Sequence, residues 1–193
     1  MIRLYLAEIR SNSEIPDFGP AFAAHIHKKK NPRVRDASIT AWRLLRFALD
    51  EAGIYAPGNV VFTETGKPYL PDGPHFSLSH SYSLAAALIS DAPCGVDIEM
   101  IDARIAQKLA PRCLNANEAD RDFFECWTRK ECLAKLDGRG LFSHPEHIDT
   151  VAPEFTGRFF TERVFDNIGR AYMLSALGEN ANCIRIAFPE SYR

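Results

Sequence analysis

Six residues constrain this chain's fold more tightly than any other stretch: Gly95-Val96-Asp97-Ile98-Glu99-Met100. Val96, Ile98 and Met100 alternate with Asp97 and Glu99. Successive side chains on a strand point to opposite faces. The apolar set therefore faces a core, and both carboxylates share the other face. A second acidic element, Trp127-Thr128-Arg129-Lys130-Glu131, has a helical pattern that runs to Lys135 and stops at Gly138-Arg139-Gly140. Two carboxylates on one strand face and a third from a nearby helix repel one another unless a cation lies between them. A hard divalent ion with oxygen ligands and open positions for phosphate suits such a set. The pattern predicts a magnesium-dependent phosphoryl-group enzyme.

The rest of the chain bounds that reading. At 193 residues it can form one domain or two small ones around a real core. Its formal net charge of -2 excludes a bulk polycation, so no nucleic-acid partner is expected. Charge is nevertheless uneven: His25 to Arg35 holds Lys28, Lys29, Lys30, Arg33 and Arg35 without one acid, which predicts a local anion-attracting patch. The cysteines (Cys94, Cys113, Cys126, Cys132, Cys183) are odd in number and form no CxxC pair, so buried reduced thiols are expected. Met1 to Arg10 carries Arg3, Glu8 and Arg10 and is not a signal peptide. No stretch approaches a membrane span. A cytoplasmic protein without a membrane partner is expected.

Periodicity predicts the elements. Ile2, Leu4 and Leu6 mark a first strand, and Ala37 to Ala52 a helix capped by Asp36, striped by Ala41, Leu45, Ala48 and Leu49, and stopped by Gly53. Gly66-Lys67-Pro68 is turn chemistry after Val60-Val61-Phe62. Strands are expected from His75 to Ser79, Leu84 to Ile89 and Cys94 to Met100. A short helix after Asp102, interrupted near Pro111, precedes a longer one opened by Asn115 and Glu118 and running to about Leu136. Three further strands cover Phe159 to Phe165, Ala171 to Leu177 and Cys183 to Phe188. Phe76-Ser77-Leu78-Ser79 and Tyr172-Met173-Leu174-Ser175 share an aromatic-x-Leu-Ser pattern, which agrees with a duplicated α+β unit broken near residue 100.

Four ordered motifs carry a resemblance. They are Gly66-Lys67-Pro68, Phe76-Ser77-Leu78-Ser79-His80-Ser81, Gly95 to Glu99, and Trp127 to Lys135 with Gly138-Arg139-Gly140-Leu141. Together they resemble the 4'-phosphopantetheinyl transferases over roughly residues 20 to 180, and the length points to the monomeric Sfp-type class. A lone Asp-x-Glu has almost no specificity; four ordered motifs at compatible spacings have a great deal. Family members move the phosphopantetheine arm of coenzyme A to a serine on an acyl or peptidyl carrier protein, releasing 3',5'-ADP. The resemblance implies that Asp97, Glu99 and Glu131 hold Mg²⁺ against the pyrophosphate, and that Lys135 stabilises or protonates the leaving group. It implies that Ser79 and His80 contact coenzyme A and that Lys67 lies near the nucleotide. Lys28 and Arg35 fall where members grip the 3'-phosphate. The family often carries an arginine just after an Asp-Ala pair, but here Ile39 stands there, followed by Thr40, with Arg35 or Arg43 as the substitute. The proton acceptor for the carrier serine is Glu131, Glu118 or a metal-bound water.

The expected architecture is an α+β pseudo-twofold pair of similar subdomains, residues 1–100 and 101–193. Each is a small, mostly antiparallel sheet packed on a long helix, with the site at their junction. An internal pair removes the need for a dimer, so a monomer is expected. The connection between Glu99 and Glu131 is shorter than in larger Sfp-type enzymes, which implies an altered carrier preference, with Leu109, Leu114, Phe123 and Phe124 as apolar contacts. Two rivals remain: a catalytically silent coenzyme A or carrier-binding module, and a metal-dependent phosphohydrolase. A complete set of Asp97, Glu99, Glu131 and Lys135 argues against the first. A carrier serine as acceptor would exclude the second.

Overall fold

A computed structural model of the chain describes residues 1–138, 144–179, 181 and 184–189. In chain order the elements are β1 (Ile2–Glu8), α1 (Pro20–His27), α2 (Pro32–Glu51), β2 (Val61–Phe62), β3 (Pro68–Tyr69), β4 (His75–Ser81), β5 (Leu84–Ser90) and β6 (Gly95–Met100). They continue with α3 (Ala103–Cys113), α4 (Phe123–Asp137), β7 (Phe159–Phe165), β8 (Ala171–Leu177) and β9 (Ile186–Ala187). The architecture is α+β. One sheet has the order β4-β5-β1-β9, a second the order β6-β8-β7, and β2 and β3 form a short hairpin. All pairings are antiparallel except β1 with β9.

The layering follows from which residues alternate. Along β5, Ala85, Ala87 and Ile89 join the core under α2, while Leu84, Ala86 and Leu88 join the core shared with the second sheet. On β1, Tyr5 and Ala7 take the first side and Leu4 and Leu6 the second. The central strands are thus apolar on both faces, which is why Leu84 to Ile89 reads as an unbroken hydrophobic run. On β6, Val96 and Ile98 enter the inter-sheet core and Asp97 and Glu99 point away from it, toward α4, as the alternation demands. The order of layers is α2, first sheet, second sheet, α4. β6, which lies before the expected boundary at residue 100, pairs with β8 from Gly95↔Leu177 to Met100↔Tyr172.

Helix ends explain the departures from the expected boundaries. α2 starts at Pro32, not Ala37, because Asn31 accepts a hydrogen bond from Arg33 N at 3.0 Å and Pro32 fits the first helical turn. Asn115 and Glu118 do form a capping box, but it closes only a 3-10 turn over Ala116–Glu118. The long helix starts afresh after Asp122, which accepts from Phe124 N and Glu125 N, and ends at left-handed Gly138. Arg139, Gly140, Leu141 and Cys183 lie outside the described residues. α4 meets β6 closely at Gly95, where a Cβ would fall 2.2 Å from Cys132 O. Only glycine admits that approach, which brings the far end of α4 to the β6 carboxylates.

The two sheets are also joined by three serines. β4 and β6 each stand last in their sheet and run in the same direction side by side. Ser77, Ser79 and Ser81 accept from the backbone N–H of Val96 (3.0 Å), Ile98 (3.3 Å) and Met100 (3.1 Å). Hydroxyls at every second residue of β4 thus stand in for the carbonyls of a backbone ladder.

Candidate active site

The serine ladder does more than join strands. With its oxygen accepting from Ile98 N, the Ser79 hydroxyl donates to Asp97 Oδ1 at 2.7 Å. In the same way Ser81, accepting from Met100 N, donates to Glu99 Oε2 at 2.9 Å. Each serine therefore fixes the carboxylate of the β6 residue just before the one whose N–H it accepts from. From α4, Lys135 Nζ donates to Asp97 Oδ1 at 2.7 Å and to Val96 O at 2.9 Å. Asp97 is buried, at 3% exposure, and its Oδ2 has no hydrogen-bond partner among the described residues. A buried carboxylate oxygen left open beside two further carboxylates is a feature a bound cation accounts for.

A cleft of about 430 Å³ opens over these groups. Asp97, Glu99, Glu131 and Lys135 line it together with Trp127 of α4, and His25 of α1, Lys29 of the α1–α2 connection and Trp42 of α2 line it as well. Burial, reinforced by the charge of Asp97, pushes both Glu99 and Glu131 up to about 7 against the ordinary 4.5. Lys135 opposes the rise at each. The donor set of three carboxylates suits a hard cation such as Mg²⁺. Among the described residues the one trio offering ligand atoms within 4.8 Å of one another is His144, Glu146 and His147.

The other expected site residues divide cleanly. His80 reaches the cleft rim, where burial and then the charges of Lys135 and Lys29 hold its imidazole below its ordinary value. Ser79 lines the cleft, but its hydroxyl is engaged with Ile98 and Asp97. Lys67 lines an adjoining cavity with Pro68, Leu78, Lys135 and Gly138, and its ammonium donates to Leu136 O at 2.7 Å, tying the turn to the end of α4. Burial lowers its pKa. Lys28 and Arg35 are exposed and do not line the cleft. Thr40 is not placed at the cleft at all: it is 1% exposed, and its hydroxyl donates to Asp36 O at 3.0 Å within α2.

Glu118 also leaves the site. It is fully buried, paired with Lys130 at 2.5 Å, and accepts from Thr150 N and Oγ1. Phe123 and Phe124 are 7% and 4% exposed and pack with Cys113 and Met173, so they are core residues and not a carrier surface. Sequence reasoning passed over Trp42 and the positioning role of Ser79 and Ser81. Their signal was present as three serines at a period of two opposite a strand with carboxylates at the same period.

Comparison with known proteins finds similarity over the part of the chain that holds β6 and α4. Residues 93–176 match the model of the 4'-phosphopantetheinyl transferase superfamily. The 4'-phosphopantetheinyl transferase gsp of Aneurinibacillus migulanus is 35% identical over 97 residues, 44% of this chain and 40% of the relative. Psf-1 of Bacillus pumilus, a 4'-phosphopantetheinyl transferase, is 35% identical over 113 residues, 51% of this chain and 48% of the relative. Sfp of Bacillus subtilis (strain 168), likewise a 4'-phosphopantetheinyl transferase, is 34% identical over 91 residues, 40% of each chain. The chain thus spans less than half the length of the curated relatives it matches. The matched segment contains β6, α4 and nearly all of β8, hence all three carboxylates and Lys135, and over that segment the chain is similar to the 4'-phosphopantetheinyl transferase superfamily and to Sfp-type relatives.

Proposed function

We propose that this protein transfers the 4'-phosphopantetheine group of coenzyme A to a serine of an acyl or peptidyl carrier protein, releasing 3',5'-ADP. The observation that carries the reading is Asp97: buried, gripped on Oδ1 by Ser79 and Lys135, with Oδ2 unpartnered among the described residues, and lining a cleft that Glu99 and Glu131 also line. In this reading those three carboxylates hold Mg²⁺, which offsets the charge that builds on the phosphates as the serine oxygen attacks. The serine Oγ forms its bond to the phosphorus that bears the pantetheine arm, and the bond to the 3',5'-ADP oxygen breaks. Glu131 accepts the serine proton, because it lines the cleft whereas Glu118 is locked in a buried pair elsewhere. Lys135 donates from Nζ to the departing phosphate oxygen, a role its compact charge suits. The two similar halves, 1–100 and 101–193, related by a pseudo-twofold axis with the site at their junction, belong to the same proposal. So does a monomeric, cytoplasmic protein.

The decisive test mixes an apo carrier, coenzyme A and Mg²⁺ with the protein and weighs the carrier by intact-protein mass spectrometry, with a chelator control. One added phosphopantetheine that disappears with chelator is the expected result. Coenzyme A binding without transfer to any of several carriers would favour the silent module. Coenzyme A cleavage with no carrier present would favour the phosphohydrolase.

Two further results are expected. Lys29 stands in the cleft wall whereas Lys28 is exposed outside it. Lys29→Ala should weaken coenzyme A about tenfold, ~1.4 kcal/mol, and dephospho-coenzyme A hardly at all. Lys28→Ala should change neither. Equal losses for both ligands in Lys29→Ala would refute a 3'-phosphate contact.

The second concerns pH. Because Glu99 and Glu131 titrate near 7 when folded and near 4.5 when unfolded, the folded chain binds more protons between those values. Stability from these groups is complete below about pH 4.5 and is lost as pH rises through about 7. In chelator, the melting temperature should fall across that window. Mg²⁺ should restore it at pH 8 but not at pH 5, and Glu99→Gln/Glu131→Gln should remove both effects. A magnesium shift that survives in that double variant would place the ion elsewhere.

A further inference from the structure

Away from the cleft, His144-Pro145-Glu146-His147 forms a tight turn with a 3-10 segment over Pro145–His147. Residues three apart eclipse one another in such a turn. The imidazoles of His144 and His147 accordingly stack, with centroids 5.1 Å apart and planes at 17°. Between them reaches Glu146, whose Oε1 lies 3.1 Å from His144 Nδ1 and 4.0 Å from His147 Nε2. One ligand atom from each residue falls within 4.8 Å of the others.

The turn is anchored from behind. Pro145 O accepts from Lys130 Nζ at 2.9 Å, and Lys130 is itself buried at 2% exposure in a pair with Glu118. His147 N donates to His144 O and Ile148 N to Pro145 O, each at 3.1 Å. A fixed backbone thus presents two imidazoles and a carboxylate outward, with side chains 65%, 75% and 37% exposed for His144, His147 and Glu146. None of these three residues lines the acidic cleft.

We propose that His144, Glu146 and His147 bind one divalent transition-metal ion of the zinc class, at a site separate from the three cleft carboxylates. Imidazole nitrogens suit zinc, cobalt, nickel and copper ions, whereas magnesium takes oxygen donors. A tetrahedral ion with bonds of about 2.0–2.1 Å needs its donors ~3.4 Å apart. The present spacings reach that value through small rotations of exposed side chains. A tetrahedral ion held by these three donors keeps its fourth position open to solvent, and so to a water or a ligand from outside. The bland alternative is two stacked histidines hydrogen-bonded to a glutamate with no affinity for metal.

Calorimetric titration of the untagged chain with zinc chloride, in a large excess of magnesium, separates the two. One zinc site that persists under magnesium is expected. His144→Ala/His147→Ala should weaken it at least about tenfold, ~1.4 kcal/mol, with an unchanged melting temperature. Glu131→Ala should leave it intact. Absence of zinc uptake at tenfold excess, or uptake that the double histidine variant does not weaken, overturns the proposal. Uptake accompanied by loss of the folded state does so too. The four described cysteines are buried, so their zinc binding would require unfolding.

Discussion

Asp97→Ala should lower the proposed phosphopantetheine transfer by about a thousandfold or more, equivalent to ~4 kcal/mol of activation free energy, while the protein stays folded. The side chain carries a disproportionate share of the site. Oδ1 receives both Ser79 and Lys135, and Oδ2 is the buried open oxygen. Its removal deletes one expected magnesium ligand and releases the ammonium of Lys135 from its anchor. Little stability is at stake, because a desolvated carboxylate with an unsatisfied oxygen costs the fold about what its hydrogen bonds return. Lys135 retains Val96 O as a partner and is 28% exposed, so it is not stranded. Carrier mass spectrometry gives the rate and thermal unfolding the stability. Near-normal transfer would sink the assignment of Asp97 to the metal.

Lys130→Met should produce the opposite pattern: a large loss of stability arising outside the cleft. Lys130 has three protons and three partners, Glu118 Oε2 at 2.5 Å, Cys113 O at 2.7 Å and Pro145 O at 2.9 Å. Glu118 is equally consumed, by Thr150 and by Asn115 N. With both side chains sealed from water, deleting the lysine leaves a buried carboxylate without a counter-charge, at a cost of about 3–5 kcal/mol. For a chain of this size that corresponds to a fall of ~10 °C or more in melting temperature. A shift under about 2 °C would mean that water reaches Glu118 and the pair is not sealed. The prediction separates two adjacent residues of one motif: Lys130 holds α3, α4 and the histidine turn together, and Glu131 faces the cleft.

The sequence made the centre of the molecule legible and its periphery less so, for physical reasons. Val96-Asp97-Ile98-Glu99 has a period of two and can only be a strand with acid on one face, and β6 is that strand. Trp127, Glu131 and Lys135 recur every fourth residue, and all three line the cleft. The strands at residues 75–81, 84–90, 159–165 and 171–177 lie where alternation put them. Boundaries set by capping were harder. Asp36 and Asn31 are both competent caps, and Pro32 decides for Asn31. Glu118 was ambiguous because a buried ion-paired glutamate and a catalytic one look alike until burial is known. Helix phase sends Thr40 into the core, whereas Arg35 on α2 and Lys28 just after α1 are exposed. α1 went unforeseen, since Pro20–His27 has a weak apolar stripe and no side-chain cap.

The serine ladder between β4 and β6 has a bearing on how the protein behaves at high concentration. Each sheet ends in a strand whose outer backbone groups would otherwise be available for pairing with another molecule. Here the hydroxyls of Ser77, Ser79 and Ser81 occupy the N–H groups of Val96, Ile98 and Met100, so the two vulnerable edges shield each other. A chain that opens along this seam presents both edges at once. Opening of this seam is therefore one route by which strand edges become available for self-association, alongside β7 and β9, which stand last at the opposite ends of their sheets.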